Sequence, residues 1–144
     1  MINTVKKFHS VMLIDDNDID NLINQKMLES ANICENIYTH SGAKSAIEFL
    51  KNMEKLSKSL PNARILPDLI FLDIDMPLMD GFQFLDQFDK LSAETKRHCQ
   101  IIMLTSSINQ QDVHKAKSYG YVKKYINKPL TIEEIRKLEQ LASE

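Results

Sequence analysis

Features that would place this chain in a specialised class of proteins are scarce in its sequence. Its two cysteines, Cys34 and Cys99, lack the CxxC or Cys/His spacing of a metal or redox site, so we expect reduced thiols packed as small hydrophobic side chains. No apolar run approaches the roughly 18 residues that a membrane-spanning helix requires. The net charge of -2 leaves no excess of either sign for binding nucleic acid. These absences predict a soluble cytoplasmic protein with no membrane or nucleic-acid partner.

The length and composition are those of an ordinary globular domain. A chain of 144 residues, 43% of them hydrophobic, can bury a substantial core but leaves little room for a second domain. We therefore expect residues 1–144 to form one domain, with its core at about 10–142.

The segment 69–81 joins the pattern of a buried strand to a carboxylate and a loop. Leu69 to Leu72 are apolar without interruption, which is typical of a central parallel strand covered on both faces. Asp73 follows directly, and Pro77 and Gly81 prevent the strand from continuing. Ligands of open α/β sheets bind beyond the carboxyl ends of the strands. We therefore expect Asp73, and Asp75 two residues later, to lie at a ligand-binding edge.

Short apolar runs alternate with helical periodicity along the whole chain. The predicted strands cover 11–14, 36–40, 69–72, 100–104 and 121–126. The predicted helices cover 18–30, a segment from Ser41 to Met53, a segment from Phe84 to Phe88, 109–119, and a segment from Thr131 to Ala142. Five alternations favour a doubly wound α/β fold of the flavodoxin-like type, with a five-stranded parallel sheet in the order 2-1-3-4-5 and helices on both faces.

Several local features are predicted from residue spacing. Ile19, Leu22, Ile23 and Met27 recur at helical spacing and predict the apolar face of the first helix, with Asn17 or Asp18 as its N-cap. Ser41 is the expected cap of the second helix, and Gly120 is the expected C-cap of the helix over 109–119. Residues 55–67 are typical of a fraying helix end and a long loop, and 92–98 of a charged connection.

Polar side chains follow four of the five predicted strands. They are Asp15 and Asp16 after the first strand, Asp73 after the third, Thr105 and Ser106 after the fourth, and Lys128 before Pro129 after the fifth. The predicted strand order places Asp15, Asp16 and Asp73 together at the switch point between strands one and three. Three neighbouring carboxylates repel one another unless a cation neutralises them, and Mg²⁺ prefers such oxygen ligands.

The predicted magnesium site uses Asp16 and Asp73 as side-chain ligands, Asp15 to orient bound water, and the backbone carbonyl of Asp75. Lys128 adds a positive charge and Thr105 adds a hydroxyl. A carboxylate nucleophile, Mg²⁺, a lysine and a hydroxyl are together typical of phosphoryl transfer to an aspartate.

This ordered set of motifs resembles the receiver domains of two-component response regulators, which are CheY-like in fold. The resemblance extends from about Ser10 to Ala142 and rests on Asp15–Asp16, on Asp73 to Gly81, on Thr105–Ser106 and on Lys128–Pro129. It implies that a sensor histidine kinase or a phosphotransfer protein phosphorylates Asp73 with Mg²⁺. It implies that Thr105, Ser106 and Lys128 bind the phosphoryl group, and that the chain catalyses only its own phosphorylation and dephosphorylation.

The resemblance also implies a conformational switch. Thr105 would move toward the phosphoryl group, and Tyr125 would turn inward to fill the space that Thr105 leaves. The Lys128–Pro129 peptide would be cis. The expected signalling surface is formed by the helix over 109–119, the fifth strand and the last helix, because Tyr125 lies on it. No output domain is expected, so signalling would proceed through protein contacts or a phosphorelay. Ser107 and Asp75 would influence the lifetime of the phosphoryl group.

Other interpretations remain open at this point. Asp73-Ile-Asp75 also resembles the nucleophile and acid/base pair of haloacid-dehalogenase-type phosphatases, although those carry this motif on the first strand. A second alternative is an interaction module of receiver fold that acts without phosphorylation. The long 55–67 segment resembles that of regulators related to the partners of bacterial phytochromes. The downstream target and the oligomeric state, a homodimer included, stay undetermined.

Overall fold

The computed structural model describes residues 7–76, 79–106 and 108–143. Pro77, expected in the loop after the third strand, and Ser107, expected to influence the phosphoryl lifetime, lie outside the described residues.

The sheet has five parallel strands in the order β2-β1-β3-β4-β5, so the predicted fold class and strand order are confirmed. The strands are β1 (Phe8–Ile14), β2 (Cys34–His40), β3 (Leu69–Asp73), β4 (Gln100–Thr105) and β5 (Val122–Asn127). Strands β1 and β2 begin earlier than predicted because Phe8 pairs with Cys34 in a register that runs to Ile14 and His40. Strands β1 and β3 lie side by side in the middle of the sheet, which brings their carboxyl ends together.

Six α-helices surround the sheet in the described residues. They are α1 (Asp18–Ala31), α2 (Ala43–Ser59), α3 (Gly81–Phe88), α4 (Ala93–His98), α5 (Gln110–Ala116) and α6 (Ile132–Leu138), and a 3₁₀ helix (Glu139–Ser143) follows. Two apolar clusters cover the two faces of the sheet, one with residues of α2 and α3 and the other with residues of α1 and α6. Both cysteines are buried, as expected of small hydrophobic side chains.

The predicted apolar face of α1 is wrong for three of its four residues, and the fourth, Met27, packs against an apolar cluster. Ile19, Leu22 and Ile23 are 68%, 52% and 45% exposed, whereas Asn21 and Asn24 are buried. The reason is that the Asn21 amide donates hydrogen bonds to the backbone carbonyls of Asp15 (3.0 Å) and His40 (3.2 Å). The first turns of the helix therefore direct polar side chains inward to hold two strand ends, while its last turns bury Leu28 and Ala31 in the core.

The charged connection expected over 92–98 is instead the helix α4. The Ser92 hydroxyl accepts a hydrogen bond from the Thr95 backbone N–H (3.2 Å), and Thr95 is the buried residue of this helix. The helix has only six residues and buries a polar one, so apolar periodicity could not reveal it.

Three further boundaries differ from expectation. Gly42, not Ser41, is the N-cap of α2, and no side chain caps that helix. Helix α2 continues to Ser59, so that the long loop predicted over 55–67 begins only at Leu60. Helix α5 ends at Ala116 with Lys117 at its C-cap, which leaves Gly120 outside the cap. Asn17 caps α1, as one of the two predicted residues.

Candidate functional site

Four strand ends bring their polar side chains to one edge of the sheet. Asp15 follows β1, Asp73 is the last residue of β3, Thr105 is the last residue of β4, and Lys128 follows β5. The Lys128 ammonium lies 2.6 Å from Asp15 Oδ2 and 3.2 Å from Asp73 Oδ1. The predicted convergence of these residues is therefore present.

The carboxylates of this edge form a compact cluster. One oxygen from each of Asp15, Asp16 and Asp73 lies within 4.8 Å of the others. Asp15 is 2% and Asp73 is 3% exposed, while Asp16 is open to solvent. Such a set of oxygen donors, open on one side, fits the preference of Mg²⁺ for carboxylate ligands that leave room for water.

Burial makes ionisation of Asp73 unfavourable. Burial and then the charge of Asp15 raise the pKa of Asp73 to about 6 from an ordinary value of 3.8, although Lys128 acts in the opposite direction. A cation at this cluster would favour the ionised carboxylate, which is the nucleophilic form.

Lys128 is held in its charged form. Burial alone would lower the pKa of Lys128, but the hydrogen bond and charge of Asp15, with the charge of Asp73, raise it above its ordinary value. Asp20 is a third partner, with Oδ2 at 3.1 Å from the ammonium. Asp20 was not predicted as a site residue. The predicted first helix begins at residue 18, which puts Asp20 in its first turn, four residues after Asp16.

Backbone hydrogen bonds fix the orientation of the carboxylates. Asp15 Oδ1 accepts from the Asn17 backbone N–H (2.9 Å), and Asp73 Oδ1 accepts from the Asp75 backbone N–H (3.3 Å). The Lys128 backbone N–H donates to the carbonyl of Thr105 (2.7 Å), and the Lys128–Pro129 peptide is cis, as predicted. The role of the Asp75 carbonyl as a metal ligand stays a prediction.

Gly81 allows the loop after β3 to return to the strand end. Its N–H donates to the carbonyl of Ile74 (3.0 Å). A Cβ atom at this position would lie 2.9 Å from Ile74 Cα and 3.1 Å from the Asp73 carbonyl oxygen. The absence of a side chain therefore keeps Asp73 in place, since the neighbouring atoms are backbone.

Thr105 and Tyr125 lie near each other in the sheet. Thr105 pairs with Asn127, so Tyr125, two residues earlier, is on the same face of the sheet. Thr105 is buried, and Tyr125 is half-buried against the apolar cluster of α2 and α3. The Tyr125 hydroxyl is buried without a hydrogen-bond partner among the described residues. Burial, with smaller effects of Asp112 and Asp75, raises the pKa of Tyr125 to about 12.

Comparison with known proteins identifies the family. A family model for the response regulator receiver domain matches residues 11–139. The chain belongs to this family. The receiver domain is a signalling domain of two-component systems and not a turnover enzyme, which removes the main support for the phosphatase interpretation.

Relatives and solved structures agree with the family. The receiver domain is 26% identical to the "probable methanogenesis regulatory protein FilR2" of Methanothrix harundinacea over 127 residues, which are 88% of this chain and 76% of that protein. A two-component response regulator from Cytophaga hutchinsonii has a similar structure, with a TM-score of 0.85, 29% identity and coverage of 96% of this chain and 98% of that one. The phosphorylated cyanobacterial phytochrome response regulator RcpA is similar with a TM-score of 0.67, 25% identity and coverage of 93% and 88%. No helix within the described residues is long and apolar enough to cross a membrane.

Proposed function

We propose that Asp73 accepts a phosphoryl group from the phosphohistidine of a sensor histidine kinase or phosphotransfer protein, and that this chain acts as a cytoplasmic response regulator. The observation that carries the proposal is the position of Asp73, buried at the end of β3 and 3.2 Å from the Lys128 ammonium. The family is one of two-component response regulators, which supports the same conclusion.

The transfer itself requires few groups. An Asp73 oxygen attacks the phosphorus atom, the new P–O bond forms as the P–N bond to the imidazole breaks, and the leaving imidazole takes up a proton. Lys128 faces Asp73 and would offset the negative charge on the phosphoryl oxygens, to which Thr105 and Ser106 would donate hydrogen bonds. In dephosphorylation, a water oxygen would attack the phosphorus atom, the P–O bond to Asp73 would break, and inorganic phosphate would leave.

The residues that would hold Mg²⁺ are Asp15, Asp16, Asp73 and the backbone carbonyl of Asp75. The first three already offer oxygens within 4.8 Å of one another. When bound, the ion supplies positive charge at the site where negative charge accumulates.

We infer that Thr105 and Tyr125 transmit the phosphorylation. The Tyr125 hydroxyl is buried without a partner among the described residues, and an unpaired buried hydroxyl is unfavourable. A position in which this hydroxyl gains a partner would therefore be favoured once Thr105 moves toward the phosphoryl group. The surface of α5, β5 and α6 would change with it, and charge reversal at Lys123 or Glu134 tests whether the target binds there.

The phosphodonor would contact α1. Ile19, Leu22 and Ile23 are exposed on this helix, and a cavity of about 230 Å³ joins Ile23 to Lys128 at the edge of the site. Exposed apolar side chains beside a reacting group are typical of a protein-binding surface. A phytochrome-type sensor kinase is our candidate donor, supported by the similarity to RcpA, and phosphotransfer profiling against sensor kinases tests it.

The decisive experiment is phosphorylation with acetyl phosphate and Mg²⁺, followed by intact mass. We expect one phosphoryl group per chain in the wild type and in Asp75→Asn, the control variant of the neighbouring carboxylate, and none in Asp73→Asn. Label retained by Asp73→Asn, or rapid turnover of phosphate monoesters, would contradict the proposal. Absence of any spectral change at Tyr125 with beryllofluoride and Mg²⁺ would favour an interaction module that acts without phosphorylation.

A further inference from the structure

A second concave site lies at the amino ends of the strands, on the opposite side of the sheet from the carboxyl ends that carry Asp73. A cavity of about 410 Å³ is bordered by residues at the amino ends of the strands, among them Asp68 before β3, Gln100 at the start of β4 and Lys123 near the start of β5. The five residues of β3 separate Asp68 from Asp73 by roughly 16 Å. This cavity is therefore independent of the phosphorylation site, and we refer to it as the basic cavity.

The basic cavity concentrates positive charge in a chain whose net charge is -2. Lys7, Arg64, Arg97 and Lys123 line it, and Asp68 is the acidic residue in its lining. Within the described part of the chain, no carboxylate lies within ion-pair distance of Lys7, Arg97 or Lys123. These cations are therefore available to a ligand.

Asp68 cannot neutralise the other cations, since its own charge is already satisfied. His98 Nε2 lies 2.7 Å from Asp68 Oδ1, and the His9 backbone N–H (2.7 Å) and Arg64 (3.3 Å) donate to Asp68 Oδ2. Although burial acts to raise it, these hydrogen bonds lower the pKa of Asp68 below its ordinary value. Asp68 thus positions His98 and Arg64 at the cavity wall.

We propose that the basic cavity binds a small phosphorylated ligand of nucleotide size. Its phosphates would contact Arg97 and Lys123. Arginine and lysine are the side chains that proteins use for phosphate, and the volume lies within the range of small-molecule sites. The concave shape, built from several strand starts, favours a compact ligand over an acidic protein segment.

Calorimetric titration with ATP tests the proposal. The buffer contains EDTA and no Mg²⁺, so that the carboxylates around Asp73 cannot hold the nucleotide through a metal ion. We expect saturable binding by the wild type and by Asp73→Asn. The double variant R97Q/K123Q should lose affinity by about tenfold or more, since each charged phosphate contact contributes strongly. The control K44Q/K51Q removes two charges from exposed positions of α2 and should bind as the wild type does.

Unchanged labelling of Asp73 by acetyl phosphate shows that R97Q/K123Q and K44Q/K51Q are folded. The proposal is overturned if the wild type shows no saturable binding of ATP. Binding of an acidic peptide without binding of ATP would overturn it in the same way. It is equally overturned if R97Q/K123Q and K44Q/K51Q have the same affinity.

Discussion

At the scale of the residue, the protonation of Asp73 links the site to stability. Its pKa of about 6 in the folded chain lies above the ordinary 3.8, so the folded state binds this proton more tightly than the unfolded state does. The stability that the protonated group contributes is complete below pH 3.8 and is lost as the pH rises through 6. In the absence of a metal ion, the ionised phosphoacceptor therefore destabilises the fold.

Replacement of Asp73 by asparagine should remove the destabilisation that the ionised carboxylate causes. At pH 8 in EDTA we expect Asp73→Asn to have a free energy of unfolding about 2 kcal/mol above that of the wild type, with the difference vanishing toward pH 4. Urea denaturation at pH 4, 6 and 8 measures it. A variant less stable than the wild type at pH 8 would show that the ion pair of Asp73 with Lys128 contributes more stability than burial of the Asp73 charge removes.

Gly81 offers a steric test of the loop that holds Asp73. In Gly81→Ala, the new Cβ would meet the backbone of Ile74 at 2.9 Å, so a backbone shift is required. We expect a loss of about 1–3 kcal/mol in the free energy of unfolding and slower labelling by acetyl phosphate. Gly120→Ala is the matched control, because nothing lies within 4 Å of its Cβ position. Equal behaviour of the two variants would refute the steric account.

At the scale of the element, hydrogen bonds to Glu54 connect α2 to the start of α4. Its carboxylate accepts hydrogen bonds from the Ser92 backbone N–H (2.7 Å) and the Thr95 hydroxyl (2.6 Å). Burial acts to raise the pKa of Glu54, but these hydrogen bonds outweigh it and lower the pKa below 4.5. The ionised form therefore contributes stability above that pH, and the contribution is lost as the pH falls.

Glu54→Gln should weaken these hydrogen bonds, because it removes the charge of the acceptor. We expect it to reduce the free energy of unfolding by about 1–2 kcal/mol at pH 7 and by much less at pH 3. Glu48→Gln, at an exposed position of the same helix, is the control and should leave the stability nearly unchanged. Chemical denaturation at the two pH values compares the variants, and an equal loss at both would show that the charge of Glu54 is unimportant.

The elements also show where sequence reasoning succeeded and where it failed. The buried strands were predictable because parallel strands covered on both faces are continuous apolar runs, as in Leu69 to Leu72. The gathering of Asp15 and Asp73 followed from the strand order, and Lys128 was added because it follows the fifth strand. The inward face of α1 was not predictable, because its buried Asn21 is paired with carbonyls that only the folded chain brings within reach. Asp20 was missed because it lies in α1 and not at a strand end, so that only the folded helix brings its carboxylate to Lys128.

At the scale of the whole molecule, binding of Mg²⁺ should raise the melting temperature. A ligand at 100 times its dissociation constant stabilises the folded state by about 2.7 kcal/mol, which corresponds to several degrees. We expect this shift in the wild type and its loss in Asp16→Asn. Asp18→Asn, which removes a nearby carboxylate in the first turn of α1, is the control and should retain the shift. The same response in both variants would place the ion elsewhere.

The position of Asp73 within β3 has a consequence for hydrogen exchange. All five residues of β3 are buried, and the strand is paired on both sides. Backbone amides in such a strand exchange with deuterium only when the whole molecule unfolds, whereas edge elements such as β5 open locally. Deuterium uptake followed by mass spectrometry should therefore be slowest at Leu69 to Asp73. We therefore expect the phosphoacceptor to be anchored in the part of the chain that opens last, and β5, which carries the half-buried Tyr125, to open earlier.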